Sequence, residues 1–96
     1  MISMNRSPIN LVKKLTIVNE LGLHARSAAK IAEVAQNAKH KVWVFYDGEK
    51  VDAASIIDIL TLGAACGSRI EISIENADDT AILNEIVNLV ETGFGE

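Results

Sequence analysis

The sequence predicts an α+β two-layer sandwich, in which four mostly antiparallel strands carry three helices on one face. Three observations point to it. Residues 69–75 (RIEISIE) alternate cleanly, with Ile70, Ile72 and Ile74 on one side and mostly charges on the other, as a strand buried on one face requires. Two stretches, His24–Ala38 and the region around Ile82–Val90, space their apolar residues at helical intervals instead. Between them Asp47-Gly48 divides the strand-like run 41–46 (KVWVFY) from Glu49–Val51, and that dipeptide suits a two-residue hairpin turn because both positions need positive φ. The order strand, helix, strand, strand, helix, strand, helix contains neither parallel repetition nor an all-β pattern. No internal repeat or low-complexity tract interrupts it.

Taken in order, residues 1–12 read as a flexible extension and 13–96 as a single domain. Lys13–Asn19 is short and β-branched, with Leu15 and Ile17 alternating against Lys14 and Thr16, until Gly22 breaks it. The first helix puts Ala28, Ile31, Ala32 and Ala35 on one face and Arg26, Lys30, Glu33 and Asn37 on the other. Ser55 followed by Asp58 resembles a capping box, opening a short helix that runs to about Leu62 and stops at Gly63. Asn76 or Asp78 can cap the last helix, whose stripe is Ile82, Ile86 and Leu89 flanked by Leu83, Val87 and Val90. Gly93 and Gly95 are expected to fray its end.

Ninety-six residues with 49% apolar content suffice for one core. The net charge of -4 opposes nucleic acid as a partner, since phosphate backbones call for a basic face. Cys66 is the only cysteine, so no internal disulfide is possible; flanked by Ala64, Ala65 and Gly67 it reads as a small packed loop residue in a reducing cytoplasm. Residues 1–12 lack the apolar block of a signal peptide, and no apolar run approaches the roughly 20 residues of a membrane span. A soluble, monomeric protein is expected, needing neither cofactor nor metal.

Chemistry concentrates at Gly22-Leu23-His24-Ala25-Arg26-Ser27-Ala28, which sets an imidazole and a guanidinium at a helix start. Unpaired first-turn N–H groups attract anions, and the helix dipole adds roughly 0.3–1 kcal/mol for negative charge. Arg26 can add charge-assisted hydrogen bonds to a phosphate, each worth about 1.5–3 kcal/mol. The positive helix end also favours a neutral, nucleophilic His24 over imidazolium. A phosphorylated imidazole is in turn a good donor, because protonating its second nitrogen makes the ring a good leaving group. A lone histidine at a helix start is otherwise a surface residue or a cap. His40, between Lys39 and Lys41, reads as a solvated loop residue.

These residues resemble the histidine-containing phosphocarriers (HPr) of the bacterial sugar phosphotransferase system, from Lys13 to about Thr92. GLHAR at Gly22–Arg26 is similar to the family's active-site motif, and SIIDILTLGAACG at Ser55–Gly67 to a second block at the expected separation. The resemblance implies an open-faced sandwich of four antiparallel strands and three helices. It implies that enzyme I, charged by phosphoenolpyruvate, phosphorylates His24 on Nδ1, that Arg26 contacts the phosphoryl group, and that an enzyme IIA domain receives it. Ser27 departs from the family, whose members usually have proline there, which forgoes a preset φ in the first helical turn.

Ser55 reads as a helix N-cap; the resemblance adds a regulatory phosphorylation site used by an HPr kinase/phosphorylase. Ile56, Ile57 and Leu60 then form a candidate docking patch, with at least one of them expected in the core. Ala54 and Asp58 make the surroundings of Ser55 more acidic than in relatives with a lysine beside the serine. Two functions compete: a phosphoryl relay through His24, and a regulatory module acting on a transcriptional regulator or enzyme I, in carbon or nitrogen control, through Ser55. An independent enzyme with His24 as general base lacks a sequence-near carboxylate partner.

Overall fold

The computed structural model describes residues 11–96. Its elements follow the expected order: β1 (Val12–Thr16), α1 (Ala25–Ala35), β2 (Val42–Tyr46), β3 (Glu49–Asp52), α2 (Ile56–Thr61), β4 (Arg69–Ile74) and α3 (Thr80–Glu91), with 3₁₀ turns at Ala77–Asp79 and Gly93–Gly95. The sheet is antiparallel in the order β1-β4-β2-β3. Register places Leu15 opposite Ile70, Val44 opposite Ile72 and Val42 opposite Ile74, so one face is continuous aliphatic surface. That face packs with Ala28 and Ile31 of α1, Ile59 of α2, and Leu83, Ile86 and Val90 of α3 in a single buried cluster. Each fully buried aliphatic side chain there contributes about 1.5–3 kcal/mol over its exposed state. The hairpin turn has φ of 50° at Asp47 and 83° at Gly48, as the dipeptide predicts.

The structure departs from the sequence reading at several edges. Strand β1 starts at Val12, and the Leu11 carbonyl already accepts a 3.0 Å bond from Ile74 N–H, so the sheet begins within the stretch assigned to the extension. The rest of that stretch, residues 1–10, lies outside the described residues. Cys66 is exposed rather than packed, because the loop turns it away from the core that Ala64 enters. Only half of the capping box at Ser55 forms: its hydroxyl accepts from Asp58 N–H at 3.2 Å, but its own N–H goes to the Asp52 carbonyl at 3.1 Å.

On α3 the buried stripe is Leu83, Ile86 and Val90, with Ile82, Val87 and Leu89 at its margins. Its start also differs. Asn76 caps the preceding 3₁₀ turn, accepting from Asp78 N–H at 2.8 Å, while the Asp78 side chain caps no helix among the described residues. The buried Asp79 carboxylate instead accepts the N–H groups of Lys39 and His40, both at 2.8 Å, and ties the α1–β2 loop to α3. The Lys39 N–H, helped by that of His40, holds the Asp79 carboxyl below the usual carboxylate range despite burial. The chain beyond α3 does not fray. Gly93–Gly95 turns so that Phe94, at φ 60°, is buried in the core, and Lys30 Nζ donates to the Phe94 carbonyl at 2.7 Å.

Candidate functional site at the start of helix α1

The site is set by a backbone seam. Gly22 has a φ of +67°, and a Cβ there would lie 2.7 Å from the Ala64 carbonyl oxygen and 2.8 Å from Ala65 Cα. Only glycine lets the two loops approach so closely. Leu23 N–H then donates to the Ala64 carbonyl at 2.9 Å, fixing where α1 begins.

His24 is the N-cap of α1, with extended backbone at φ -112° and ψ -178°. Its Nδ1 accepts from Arg26 N–H at 3.3 Å, and its own N–H lies 3.0 Å from Ser27 Oγ and 3.1 Å from the Gly22 carbonyl. The Ser27 hydroxyl is fully buried, within reach of the carbonyls of Gly22 (3.0 Å) and His24 (3.1 Å), and donates its one proton to either. Reciprocal capping thus occurs between His24 and Ser27.

The other edge of the ring meets the end of the described chain. Glu96 Oε2 lies 2.6 Å from His24 Nε2 and 3.4 Å from Arg26 Nη2. Its Oε1 accepts from Asn19 Nδ2 at 3.1 Å, and that amide nitrogen also donates to the Gly22 carbonyl at 2.8 Å. Asn19 is 5% exposed, with Oδ1 buried and unpaired among the described residues. Hydrogen bonds from Asn19 and then His24 outweigh desolvation and hold the Glu96 carboxyl below its usual range. The side chains of His24 and Glu96 are 23% and 17% exposed, while Arg26 at 61% extends into solvent.

His24 and Arg26, expected from sequence, therefore meet at one helix start. Asn19 and Glu96 were not expected, whereas the hydroxyl of Ser27 takes the place open to it where a proline would stand. Asn19 carried a signal, since it falls on the same alternation as Leu15 and Ile17 and so faces inward. Glu96 carried none, being 72 residues from its partner. Ser55 opens α2 with its hydroxyl capping Asp58. Ile56, Ile57 and Leu60 are exposed at 39%, 74% and 38%, so none is a core residue; Ile59 and Leu62 fill that role because they lie on the inward side of the short helix. Val18 and Leu21 extend the exposed apolar surface on the β1–α1 loop. Among the described residues no group of acidic, His or Cys side chains could hold a metal ion, and no helix is long and apolar enough to cross a membrane.

A family model described as the PTS HPr component phosphorylation site matches residues 11–92. The chain is 35% identical over 86 residues to the phosphocarrier protein HPr of Neisseria meningitidis serogroup A, covering 90% of this chain and 97% of that one. It is 37% identical over 84 residues to HPr of Pseudomonas aeruginosa, covering 86% and 93%. Among solved structures, HPr from Thermoanaerobacter tengcongensis superposes with a TM-score of 0.83 at 36% identity, over 88% of this chain and 96% of that one.

Proposed function

This chain belongs to the HPr family of phosphocarriers, and from that premise we propose that His24 takes a phosphoryl group on Nδ1 from enzyme I and delivers it to an enzyme IIA domain. The family is that of phosphotransferase-system carriers, which work in the cytoplasm as co-substrates of phosphotransferases and not as enzymes. The observation that carries the assignment to His24 is its seat as N-cap of α1, with Nδ1 turned toward a first-turn N–H group. There the nucleophilic lone pair and the backbone donors for an incoming anion share one space. Arg26, exposed and held among the described residues by a 3.4 Å contact to Glu96, is free to swing onto the phosphoryl oxygens. Binding must stay moderate, because a carrier that holds its cargo too tightly cannot release it.

Incubation with phosphoenolpyruvate and enzyme I should give a stoichiometric acid-labile phosphate that His24→Ala abolishes while the circular dichroism spectrum is unchanged. Arg26→Ala should slow transfer without lowering the melting temperature. Label persisting in His24→Ala would move the site elsewhere.

A second reading is regulatory, and the exposed Ile56, Ile57 and Leu60 beside Ser55 favour it. Phosphorylation of Ser55 by an HPr kinase/phosphorylase would place a dianion in the middle of an apolar docking surface, changing which partner, enzyme I or a transcriptional regulator, the monomer binds.

A further inference from the structure

We propose that Glu96 is a positioning residue for the relay, holding the imidazole proton on Nε2 of His24 and so leaving Nδ1 as the nitrogen that takes the phosphoryl group. The inference rests on the carrier reading of His24 and deepens it.

Two contacts assign the tautomer independently. A carboxylate oxygen 2.6 Å from Nε2 can only accept, so Nε2 carries the hydrogen. On the opposite side Nδ1 faces the N–H of Arg26, which can only donate, so Nδ1 carries the lone pair. The two demands agree, and no rotation of the ring by half a turn satisfies both at once. The carboxylate is itself held: Asn19, nearly buried, donates to Oε1 while anchored on the Gly22 carbonyl, so carboxylate, ring and the seam at Gly22 form one connected unit. The core-bound Phe94 and the Lys30 bond to its carbonyl bring Glu96 to this place.

The bond count follows. The Nδ1 lone pair forms the new N–P bond, the bond that held phosphorus to the donor breaks, and its electron pair leaves with the donor group. Nε2 keeps its hydrogen, and the ring gains one positive charge facing Glu96. Delivery reverses this: the N–P pair returns to Nδ1 and the ring leaves neutral, again with its hydrogen on Nε2. The Arg26 N–H contact at 3.3 Å is long for a hydrogen bond and is easily exchanged for a phosphoryl oxygen.

The test uses the full chain in a His40→Gln background, which leaves His24 as the only imidazole, and two variants. Glu96→Ala removes the carboxylate; Glu96→Asp keeps the charge but withdraws it by one methylene. In ¹⁵N-labelled protein at mildly alkaline pH, the Nε2 proton of His24 should be observable and shifted far downfield, and should vanish in both variants. With phosphoramidate, whose P–N bond breaks with ammonia leaving, ³¹P spectra should show Nδ1-phosphohistidine in the parent. In both variants the ratio of Nε2 to Nδ1 product should rise about tenfold, the bias expected from losing a charge-assisted hydrogen bond. An unchanged proton signal and unchanged product ratio in both variants would overturn the proposal, and so would Nε2 labelling of the parent. If enzyme I leaves His24 unlabelled while the Nε2 proton and the phosphoramidate product still depend on Glu96, the carrier reading fails and the positioning role stands. If enzyme I labels all three proteins on Nδ1 with no change in proton signal or product ratio, the reverse holds.

Discussion

Replacing Gly22 by alanine tests how far the site depends on the seam between its two loops. A left-handed backbone at φ +67° costs an L-residue roughly 1–2 kcal/mol. The added Cβ would also meet backbone atoms of Ala64 and Ala65 at 2.7 and 2.8 Å, which a side-chain rotation cannot relieve. Overpacking of that kind costs typically about 1–3 kcal/mol, for a total of about 2–5 kcal/mol. Gly63 supplies the control, with a φ of +66° and nothing within 4 Å of its would-be Cβ, so Gly63→Ala isolates the conformational cost of about 1–2 kcal/mol. For a domain of 96 residues each kcal/mol shifts the melting temperature by roughly 4–8 °C. Thermal unfolding should therefore place Gly63→Ala about 5–15 °C below the parent and Gly22→Ala at least about 5 °C lower again. Equal melting of the two variants would show that the loops move apart freely and that the seam does not position His24.

Ser27→Ala, which removes the buried hydroxyl bonded to His24 N–H, should cost about 0.5–2 kcal/mol in urea unfolding. Ser27→Pro loses the same hydroxyl but restricts the unfolded chain, which returns about 0.4–1 kcal/mol, so it should lie above Ser27→Ala; the reverse order would refute the offset. Asp79→Ala should destabilise the α1–β2 loop by an amount that depends on pH. Because the folded-state pKa of Asp79 is lowered, the parent's advantage should be complete above the ordinary value of 3.8 and fade as pH falls through the lower folded value. An advantage independent of pH across that range would place the effect elsewhere. Phosphorylated Ser55 should keep the fold and slow phosphorylation of His24 by enzyme I, measured against the unmodified protein; equal rates would leave Ser55 as a helix cap alone.

Periodicity sufficed for the architecture because it encodes which face of each element is buried: Ile70, Ile72 and Ile74 alternate in sequence and line the core in the structure. It was weaker where one polar contact decides an end. Asp79 looks like any acidic residue near a helix start, yet its partners are backbone groups of Lys39 and His40, about forty positions earlier. His24 and Arg26 were legible because a helix start is a local feature. Glu96 was not, since its place depends on Phe94 being drawn into a core that exists only once the chain has folded. The glycines around Phe94 suggested looseness, whereas their positive φ values, 64° at Gly93 and 74° at Gly95, are what allow the turn inward.

The strand order has a consequence for assembly in time. Among the described residues β1 pairs with β4, which begins 53 positions after β1 ends, while β2 and β3 meet across a two-residue turn. During synthesis the β2–β3 hairpin can close within microseconds of emerging, but β1 must wait for β4 through more than half the chain. When β4 arrives it inserts between β1 and β2 and creates both remaining strand interfaces together. A nascent chain ending before Arg69 holds the β2–β3 hairpin and lacks the strand that joins it to β1, so completing the sheet is governed by one long loop closure.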